Sequence, residues 1–351
     1  MGLFKASQGY LGIDIGTSSI KIVELKKEGN RPRLSSYGFS EGLDGKLNND
    51  WQLNIKKTAK AINKICKEAG MTSKSAVAAL PTYSVFSSIL NLANVDKKDI
   101  ASTVHWEAKK VIPIPLDEII LDWKKIEEDD KKVGKKSDNF KVLITGAPKL
   151  LVKKYIDIFK EAQINLISLE TEIFSLTRSL LGRDKTTVAI VEIGTNTTNI
   201  SIVDKGIPML NRSIDIGGLT ITKSLANNLN IGLERAEQFK YDLGMNSLGT
   251  AGQEIVPKTI IEALNPVINE IKYVINLYQN RDNKKVEKII LSGGSSLLVN
   301  FVNYLSKILD INVIIGDPWA RVSYPVELKP VLDEVGPRMS IAVGLALRQM
   351  E

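Results

Sequence analysis

Three short segments rich in Gly, Ser and Thr each follow an apolar stretch of the chain. They are residues 12–19, 192–198 and 292–296. A turn of this kind at the end of a strand presents backbone N–H groups and hydroxyls, which can bind phosphate. One such turn alone is more often an ordinary hairpin connection. Three of them, two of which are related in sequence, favour a nucleotide site.

The first two segments are copies of one pattern. Residues 14–19 match residues 192–197, and Glu192 follows Asp14 by 178 residues. The match extends into the apolar stretches on both sides, each of which has the length and alternation of a β-hairpin. A duplication over so long a distance predicts two similar lobes that face each other.

Several other kinds of site are excluded by the residues that the chain lacks. A single cysteine, Cys66, and a single histidine, His105, cannot build a disulfide framework or a zinc site of His and Cys ligands. Neither a Walker A motif nor a G-x-G-x-x-G fingerprint is present, which argues against P-loop and Rossmann folds. We expect His105 to pack or to contact a partner, and Cys66 to be a small core residue.

The overall composition is that of a globular protein with room for two or three domains. The 351 residues carry 47 Lys and Arg against 40 Asp and Glu, for a net charge of +7. No apolar run approaches the ~20 residues that span a bilayer, and the first residues lack a signal peptide. We therefore expect a cytoplasmic protein without direct membrane insertion. No basic stripe is interleaved with aromatic residues, so we expect no nucleic-acid partner.

The pattern of apolar residues divides the chain into units. Residues 1–81 would begin the first lobe, residues 82–165 would form an inserted α+β subdomain, and residues 166–186 would return to the first lobe. Residues 187–337 would form the second lobe, and residues 338–351 a C-terminal helix packing back on the first. Helices are predicted at residues 51–69, 149–161, 297–309 and 339–350, among others.

The three small-residue turns resemble the motifs of a known superfamily. Residues 12–21, 191–198 and 291–295 look like the first phosphate, second phosphate and adenosine motifs of the actin/Hsp70/hexokinase ATPases. The resemblance implies an α/β fold of the actin/Hsp70 type, with two duplicated lobes around a cleft that binds ATP and Mg²⁺.

A closer resemblance is to the PilM family of type IV pilus assembly, which is itself similar to the cell-division protein FtsA. It rests on residues 105–108 with 112–115 in the insertion, on Glu172 six residues before Arg178, on residues 217–222 with Glu234 and Lys240, and on residues 2–4. This resemblance implies an FtsA-like inserted subdomain of the 1C type. It also implies a partner, the N-terminal cytoplasmic peptide of the inner-membrane protein PilN, held between the first lobe and the insertion. The chain would then lie peripheral to the inner membrane, and self-association is a further expectation.

The same resemblance assigns roles in the cleft. Asp14 and Glu192 would hold Mg²⁺ through water, because Mg²⁺ keeps much of its hydration shell. The nucleotide would be bound by Gly16, Thr17, Ser18, Ser19, Lys21, Gly194, Thr195, Asn196, Thr197, Gly217, Gly218, Glu237, Lys240, Gly293, Gly294 and Ser295. Two of these assignments have open alternatives: Lys21 as a lysine on a strand surface, and Glu237 with Lys240 as an ion pair on a helix surface.

The resemblance also implies catalytic residues. Glu192 stands where the superfamily usually has Asp, so we do not expect efficient hydrolysis. Glu172, with Asp14, is the candidate catalytic residue, and Glu170 is its fallback; helix capping is the alternative for both glutamates. Other functions on the same fold stay open: an FtsA-like filament protein, or a small-molecule kinase or phosphatase.

Overall fold

Two five-stranded sheets with the same strand order form the centre of the molecule. The computed structural model describes residues 9–29, 31–41, 54–93, 95, 99–126, 140–246 and 255–350. The first sheet has the order β3-β2-β1-β4-β8 and the second the order β11-β10-β9-β12-β13. The strands of the first are β1 (Gly9–Ile15), β2 (Ser19–Glu28), β3 (Arg31–Glu41), β4 (Ser75–Leu80) and β8 (Asn165–Thr171). Those of the second are β9 (Val188–Ile193), β10 (Thr198–Asp204), β11 (Ile207–Ile214), β12 (Lys288–Ser292) and β13 (Asn312–Ile315).

The two sheets are related strand by strand. In each, the first three strands are antiparallel and the remaining two are added parallel to the first. Asp14 on β1 lies opposite Lys21 on β2, and Glu192 on β9 lies opposite Asn199 on β10. The predicted fold class, an α/β fold with two duplicated lobes, is therefore confirmed.

Two helices fill the space between the sheets. They are α4 (Glu172–Leu180) and α9 (Lys329–Leu347), which contact each other and share a core with β4, β9 and β12. Their approach is close because glycines face backbone: a Cβ on Gly12 of β1 would lie 1.9 Å from the carbonyl oxygen of Ala342, and one on Gly344 would lie 2.0 Å from that of Ser175. These two helices therefore join the lobes at a rigid contact.

The outer side of each sheet carries its own helices. In the first lobe these are α1 (Ile55–Glu68) and α3 (Lys149–Glu161), which pack on each other and on the sheet. Apolar residues at helical spacing, including Ala59, Ile62 and Ile65, form the buried stripe of α1, and the Asn54 side chain caps it by accepting the N–H of Lys57 at 3.1 Å. The second lobe carries α5 (Gly218–Leu229), α6 (Leu233–Leu243), α7 (Ile255–Asp282) and α8 (Phe301–Leu309).

The insertion is smaller than the sequence pattern indicated. It is a three-stranded antiparallel sheet of order β5-β7-β6, covered by α2. Its elements are β5 (Phe86–Leu92), α2 (Ile100–Val111), β6 (Ile119–Ile126) and β7 (Phe140–Pro148). We expected the insertion to continue to residue 165. Instead α3 places Tyr155 and Phe159 in the first lobe's core with Leu11 and Ile13, so this helix belongs to the first lobe.

Other boundaries also differ from expectation. Helix α9 begins at Lys329, before the expected residue 338, and continues through Pro337. Helix α8 begins at Phe301, because Gly294–Leu297 forms a separate 3₁₀ turn. The short strand β13 had not been predicted. The family-like residues 2–4 and the expected helix start at residues 51–53 lie outside the described residues. None of the helices in the described ranges is long and apolar enough to span a bilayer.

Candidate functional site

The two duplicated turns have the same backbone geometry. The N–H of Gly16 donates to the carbonyl of Ser19 at 3.0 Å, and the N–H of Gly194 donates to the carbonyl of Thr197 at 2.9 Å. Each turn thus ends one strand and starts the next at the edge of its sheet. The alternation of apolar residues on the flanking strands buries the hairpins and fixes this position.

The turns face each other across a cleft between the lobes. The hydroxyls of Ser18 and Thr195 are 2.5 Å apart and hydrogen-bond across it. One cavity is lined by residues of both turns and their surroundings: Asp14, Ile15, Gly16, Thr17, Ser18, Ser19, Lys21, Pro81, Tyr83, Glu172, Glu192, Gly194, Thr195, Thr197, Asn199 and Ile341. Most of the predicted phosphate-site residues are therefore together, while Asn196 is not part of the lining.

Two buried acids, Asp14 and Glu172, and the partly buried Glu192 and Lys21 give this cavity its charge. Lys21 forms an ion pair with Asp14, Nζ to Oδ2 at 3.0 Å. Burial acts to lower the pKa of Lys21, but the charge and hydrogen bond of Asp14, with the charges of Glu192 and Glu172, outweigh it and raise that pKa. Lys21 is thus a partly buried cation inside the cleft, with 19% of its side chain exposed, and the alternative of a surface lysine does not hold.

Glu172 is the first residue of α4 and points into the cavity. Its Oε2 accepts the backbone N–H of Thr82 at 2.9 Å and the Thr82 hydroxyl at 3.0 Å. Burial raises the pKa of Glu172 to about 8, the charges of Glu192 and Asp14 add to the rise, and the hydrogen bonds from Thr82 oppose it. The carboxyl therefore holds a proton at neutral pH in this arrangement. Thr82 stands at the entry to the insertion, so Glu172 also ties the insertion to the cleft.

Glu192 is held by Asn199, the residue opposite it on β10. The Asn199 amide donates to Glu192 Oε2 at 3.1 Å and approaches Glu172 Oε2 at 3.4 Å, while the Ser213 hydroxyl donates to Asn199 Oδ1 at 2.6 Å. Burial raises the pKa of Glu192 to about 7. The charge of Lys21 and the Asn199 hydrogen bond lower that pKa, and the charge of Asp14 raises it. Asn199 therefore positions both carboxyls.

These acids suit a hydrated cation better than a fully protein-bound one. Within the described part of the chain, no group of three or more His, Cys, Asp or Glu side chains is placed to hold a metal ion by itself. Asp14 and Glu192 face the same cavity as the two phosphate-type turns. This donor set fits Mg²⁺, which takes one or two carboxylates and completes its shell with water and phosphate oxygens.

Gly217 and Gly218 lie behind the second turn. The N–H groups of Gly218 and Leu219 donate to the carbonyls of Gly194 and Thr195, each at 2.9 Å. A Cβ on Gly217 would lie 2.6 Å from both of those carbonyl oxygens. The start of α5 therefore holds the second turn in place. The N–H groups of Gly218 and Leu219 are occupied by these hydrogen bonds to the turn.

A second polar cluster surrounds the third turn. Gly293 has φ +83°, and its N–H donates to the carbonyl of Pro337 in α9 at 2.9 Å. Lys240 is fully buried beside this turn and donates to both Glu237 carboxylate oxygens at 2.7 Å and to the Thr222 hydroxyl at 3.1 Å. Burial lowers the pKa of Lys240, although the Glu237 charge opposes this. The pair is thus no helix-surface ion pair.

Two residues beside Gly294 had not been predicted. The guanidinium of Arg338 lies 5.7 Å from the ring centroid of Tyr241, and an added Cβ on Gly294 would be 3.3 Å from Arg338 Nε and from the Tyr241 hydroxyl oxygen. A planar cation and an aromatic ring here offer faces on which a base can stack. Tyr241 directly follows Lys240 in the chain, which is a signal that the sequence did contain.

Four further residues differ from the predicted assignments. Glu170, the fallback acid, lies outside the cavity and pairs with Arg178 at 2.7 and 3.0 Å and with Arg348 at 2.5 Å. Its role in the structure is to tie β8 to the end of α9. Asn199 was missed, although it follows Lys21 by the same 178 residues that separate the two acids. Thr82 and Tyr83 carried no local signal, because they reach the cleft only through the fold.

The repeated strand order and the cleft between the sheets define an actin-like protein. Solved structures with this fold include MreB5 of Spiroplasma citri bound to AMPPNP, with a TM-score of 0.56 at 13% identity, covering 97% of this chain and 95% of that one. EutJ of Carboxydothermus hydrogenoformans, an ethanolamine utilization protein, also has a TM-score of 0.56, at 16% identity, covering 97% and 90%.

Within this class, the chain belongs to the family described as type IV pilus assembly protein PilM, whose sequence profile matches residues 12–350. The solved PilM-PilN type IV pilus biogenesis complex has a TM-score of 0.82 at 23% identity and covers 97% of this chain and 98% of that one. The cell division protein FtsA of Neisseria meningitidis serogroup B is 26% identical over 96% of this chain and 89% of its own length.

Proposed function

We propose that this chain binds ATP with Mg²⁺ between its lobes and serves as an actin-like scaffold of type IV pilus assembly. It would lie on the cytoplasmic face of the inner membrane and bind the N-terminal peptide of a PilN-type protein. The observation that supports nucleotide binding is the pair of matched turns, which face each other across a cavity lined by Asp14, Glu172 and Glu192.

The phosphate groups would lie between these turns. The backbone N–H groups and hydroxyls around Thr17 and Thr195 offer donors from both sides, as polyphosphate needs. Lys21 supplies a positive charge inside the cleft, and Asp14 and Glu192 would share the metal's hydration shell. Mg²⁺ would neutralise phosphate charge and so allow three acids to remain beside an anionic ligand.

The adenosine would lie along the third turn. Gly294 has no side chain, so a ribose or α-phosphate can approach its backbone closely, while Gly293 packs against the carbonyl of Ile193 and supplies the φ of +83° that shapes the turn. The Glu237 side chain is about half exposed and is oriented by buried Lys240, which suits a hydroxyl donor such as ribose. Tyr241 and Arg338 would stack on the base, replacing the contact that they make with each other.

Hydrolysis would be slow at best. A general base must accept a proton from the attacking water, and efficiency is highest when its pKa is near the working pH and the group is ionised. The pKa of Glu172 is raised to about 8, so most of this carboxyl is already protonated at pH 7. Roughly a tenth of the carboxyl stays ionised at pH 7, so this shift alone would slow hydrolysis about tenfold. Together with Glu192 in the place of the superfamily's Asp, it favours slow hydrolysis over rapid turnover.

The proposed test of the cleft is calorimetry of Mg-ATP with Asp14→Ala. The change removes one metal-directed carboxylate and leaves Lys21 without its partner, so we expect ATP affinity to fall at least tenfold while the thermal melt shows a folded chain. Exposed Glu234→Ala is the matched control and should bind as the wild type does. Equal affinity in Asp14→Ala would refute the assigned cleft.

The partner is tested separately. The PilN-type peptide, immobilised through its C-terminus, should retain this chain, and the amount retained should change when Mg-ATP is added. The physical reason is that Thr82, at the entry to the insertion, bonds directly to Glu172 in the cleft. No retention with or without ATP would refute the scaffold proposal and leave nucleotide binding untouched.

An FtsA-like filament protein is the second candidate. It is favoured by the N. meningitidis FtsA match, which extends over nearly the whole chain. Negative-stain electron microscopy with Mg-ATP separates the two. Long filaments formed without peptide would support the FtsA-like function, and single particles would support the peptide-binding scaffold.

A further inference from the structure

The positive charge of the chain is concentrated on one side of the first lobe. Helices α1 and α3 together contain nine lysines against three acids and no arginine. Their net charge of +6 accounts for nearly all of the chain's +7, so the rest of the molecule is close to neutral. A random scatter of solvated lysines would not leave the other residues balanced.

These helices present their lysines to the same side. Both helices bury their apolar residues in one core with strands β1 and β2, and the two helices contact each other. The odd-numbered residues of β1 and the even-numbered residues of β2 point to this side of the sheet. Helices α4 and α9 lie on the opposite side of the sheet. The exposed outer surface of α1 and α3, here named the lysine face, includes Lys56, Lys57, Lys60, Lys67, Lys153 and Lys160.

The charges of the lysine face are not neutralised internally. Among the described residues, none of these six lysines forms an ion pair; the only such pair along α1 joins Lys64 to Glu68, with Nζ and Oε1 3.8 Å apart. Lys56, Lys60 and Lys67 recur at spacings of four and seven, which places them along one stripe of the helix. The face therefore offers a patch of free ammonium groups.

The chemistry of the patch fits lipid headgroups better than nucleic acid. Nucleic-acid surfaces combine lysine with arginine forks and stacking aromatics, whereas the aromatic residues of α3, Tyr155 and Phe159, are buried. In their place the face exposes aliphatic side chains, Leu150 at 83% and Ile156 at 50%. Clusters of four to eight basic residues beside apolar contacts are typical of proteins held at anionic membranes.

We propose that the lysine face docks on the anionic phospholipid surface of a membrane. The contact is peripheral and electrostatic, with Leu150 touching the headgroup layer. It is independent of the nucleotide cleft and of a peptide partner, and it would hold the first lobe flat against the membrane while the cleft lies on the other side of the sheet.

The test is flotation with lipid vesicles, using the full chain without nucleotide or peptide. Vesicles containing 30% phosphatidylglycerol should bind the chain, vesicles of phosphatidylcholine alone should not, and 500 mM salt should release it. Each lysine near an anionic surface contributes about fivefold to partitioning. The triple variant Lys56→Glu, Lys60→Glu, Lys67→Glu should therefore bind at least fiftyfold more weakly.

A matched control separates the face from net charge. The triple variant Lys223→Glu, Lys272→Glu, Lys307→Glu makes the same charge change at exposed positions of the second lobe. It should keep most of its vesicle binding. Equal loss in the two folded triple variants, or equal binding to both kinds of vesicle, would overturn the proposal. So would a gel shift of duplex DNA by a chain that leaves vesicles unbound. ATP and peptide binding are measured without lipid, so their failure is a separate result.

Discussion

Replacing Glu172 by Gln should change how the stability of the nucleotide-free chain depends on pH. The pKa of Glu172 is raised to about 8 in the folded chain, against 4.5 in an unfolded one, because the carboxyl is buried near Glu192 and Asp14. The folded state therefore holds a proton that the unfolded state releases. Stability is unaffected below pH 4.5 and falls as pH rises towards 8.

The size of the effect follows from this shift. Between pH 5.5 and pH 8, a carboxyl with these two pKa values costs the folded state about 3 kcal/mol. For a chain of 351 residues that corresponds to a drop of about 4 °C in melting temperature. Glu192, with its pKa raised to about 7, adds a smaller fall over the same range. Glu172→Gln carries no charge at any pH, so its melting curve should lose the larger part of the slope.

Thermal melts at half-unit steps from pH 5.5 to 8 make the measurement. The acids whose pKa values are lowered, such as Asp184 with a pKa of about 2, titrate outside this range. Glu234→Gln, at an exposed site, is the control and should parallel the wild type. If Glu172→Gln and wild type show the same slope, Glu172 is ionised in the folded chain and the account of the cleft's electrostatics is wrong.

Three further substitutions replace residues that hold the site's turns and carboxyls in position. Gly217→Ala should lower ATP affinity at least fivefold in calorimetry, because its Cβ would displace the second turn, whereas Gly232→Ala, with nothing within 4 Å, should bind normally. Asn199→Asp adds an ionisable carboxyl beside Glu192 and Glu172, so we expect its melting temperature to fall more steeply between pH 5.5 and pH 8 than that of the wild type, and a slope equal to the wild type's would contradict the bridging role. Lys240→Met should weaken ATP binding about tenfold by freeing the Glu237 carboxylate, and unchanged binding in titrations with ATP would remove this pair from the site.

Much of the fold was predictable from local pattern. The repeat of Asp14 at Glu192 revealed the two lobes, because a strand-turn-strand unit carries its signal in consecutive residues. Helix α3 was predicted with the bounds that it has, Lys149–Glu161. The sheet that α3 covers was not predicted, because the 3.6-residue period shows which side of a helix is apolar but not which sheet that side packs against.

The parts of the site that escaped prediction depend on contacts between distant residues. Thr82 reaches Glu172 across 90 positions of the chain, and no property of Thr82 alone indicates it. Arg338 lies beside Tyr241 across 97 positions of the chain, and neither residue alone indicates this contact. Asn199 is the exception, because the duplication that identified Glu192 also aligns Asn199 with Lys21.

Hydrogen–deuterium exchange with and without Mg-ATP tests most directly whether both lobes hold one nucleotide. Peptides covering residues 16–19 and 194–197 should gain protection together, at one ATP concentration, and Asp14→Ala should lose both effects in parallel. Protection of only one turn, or of neither at saturating ATP, would contradict a nucleotide bound between the duplicated lobes.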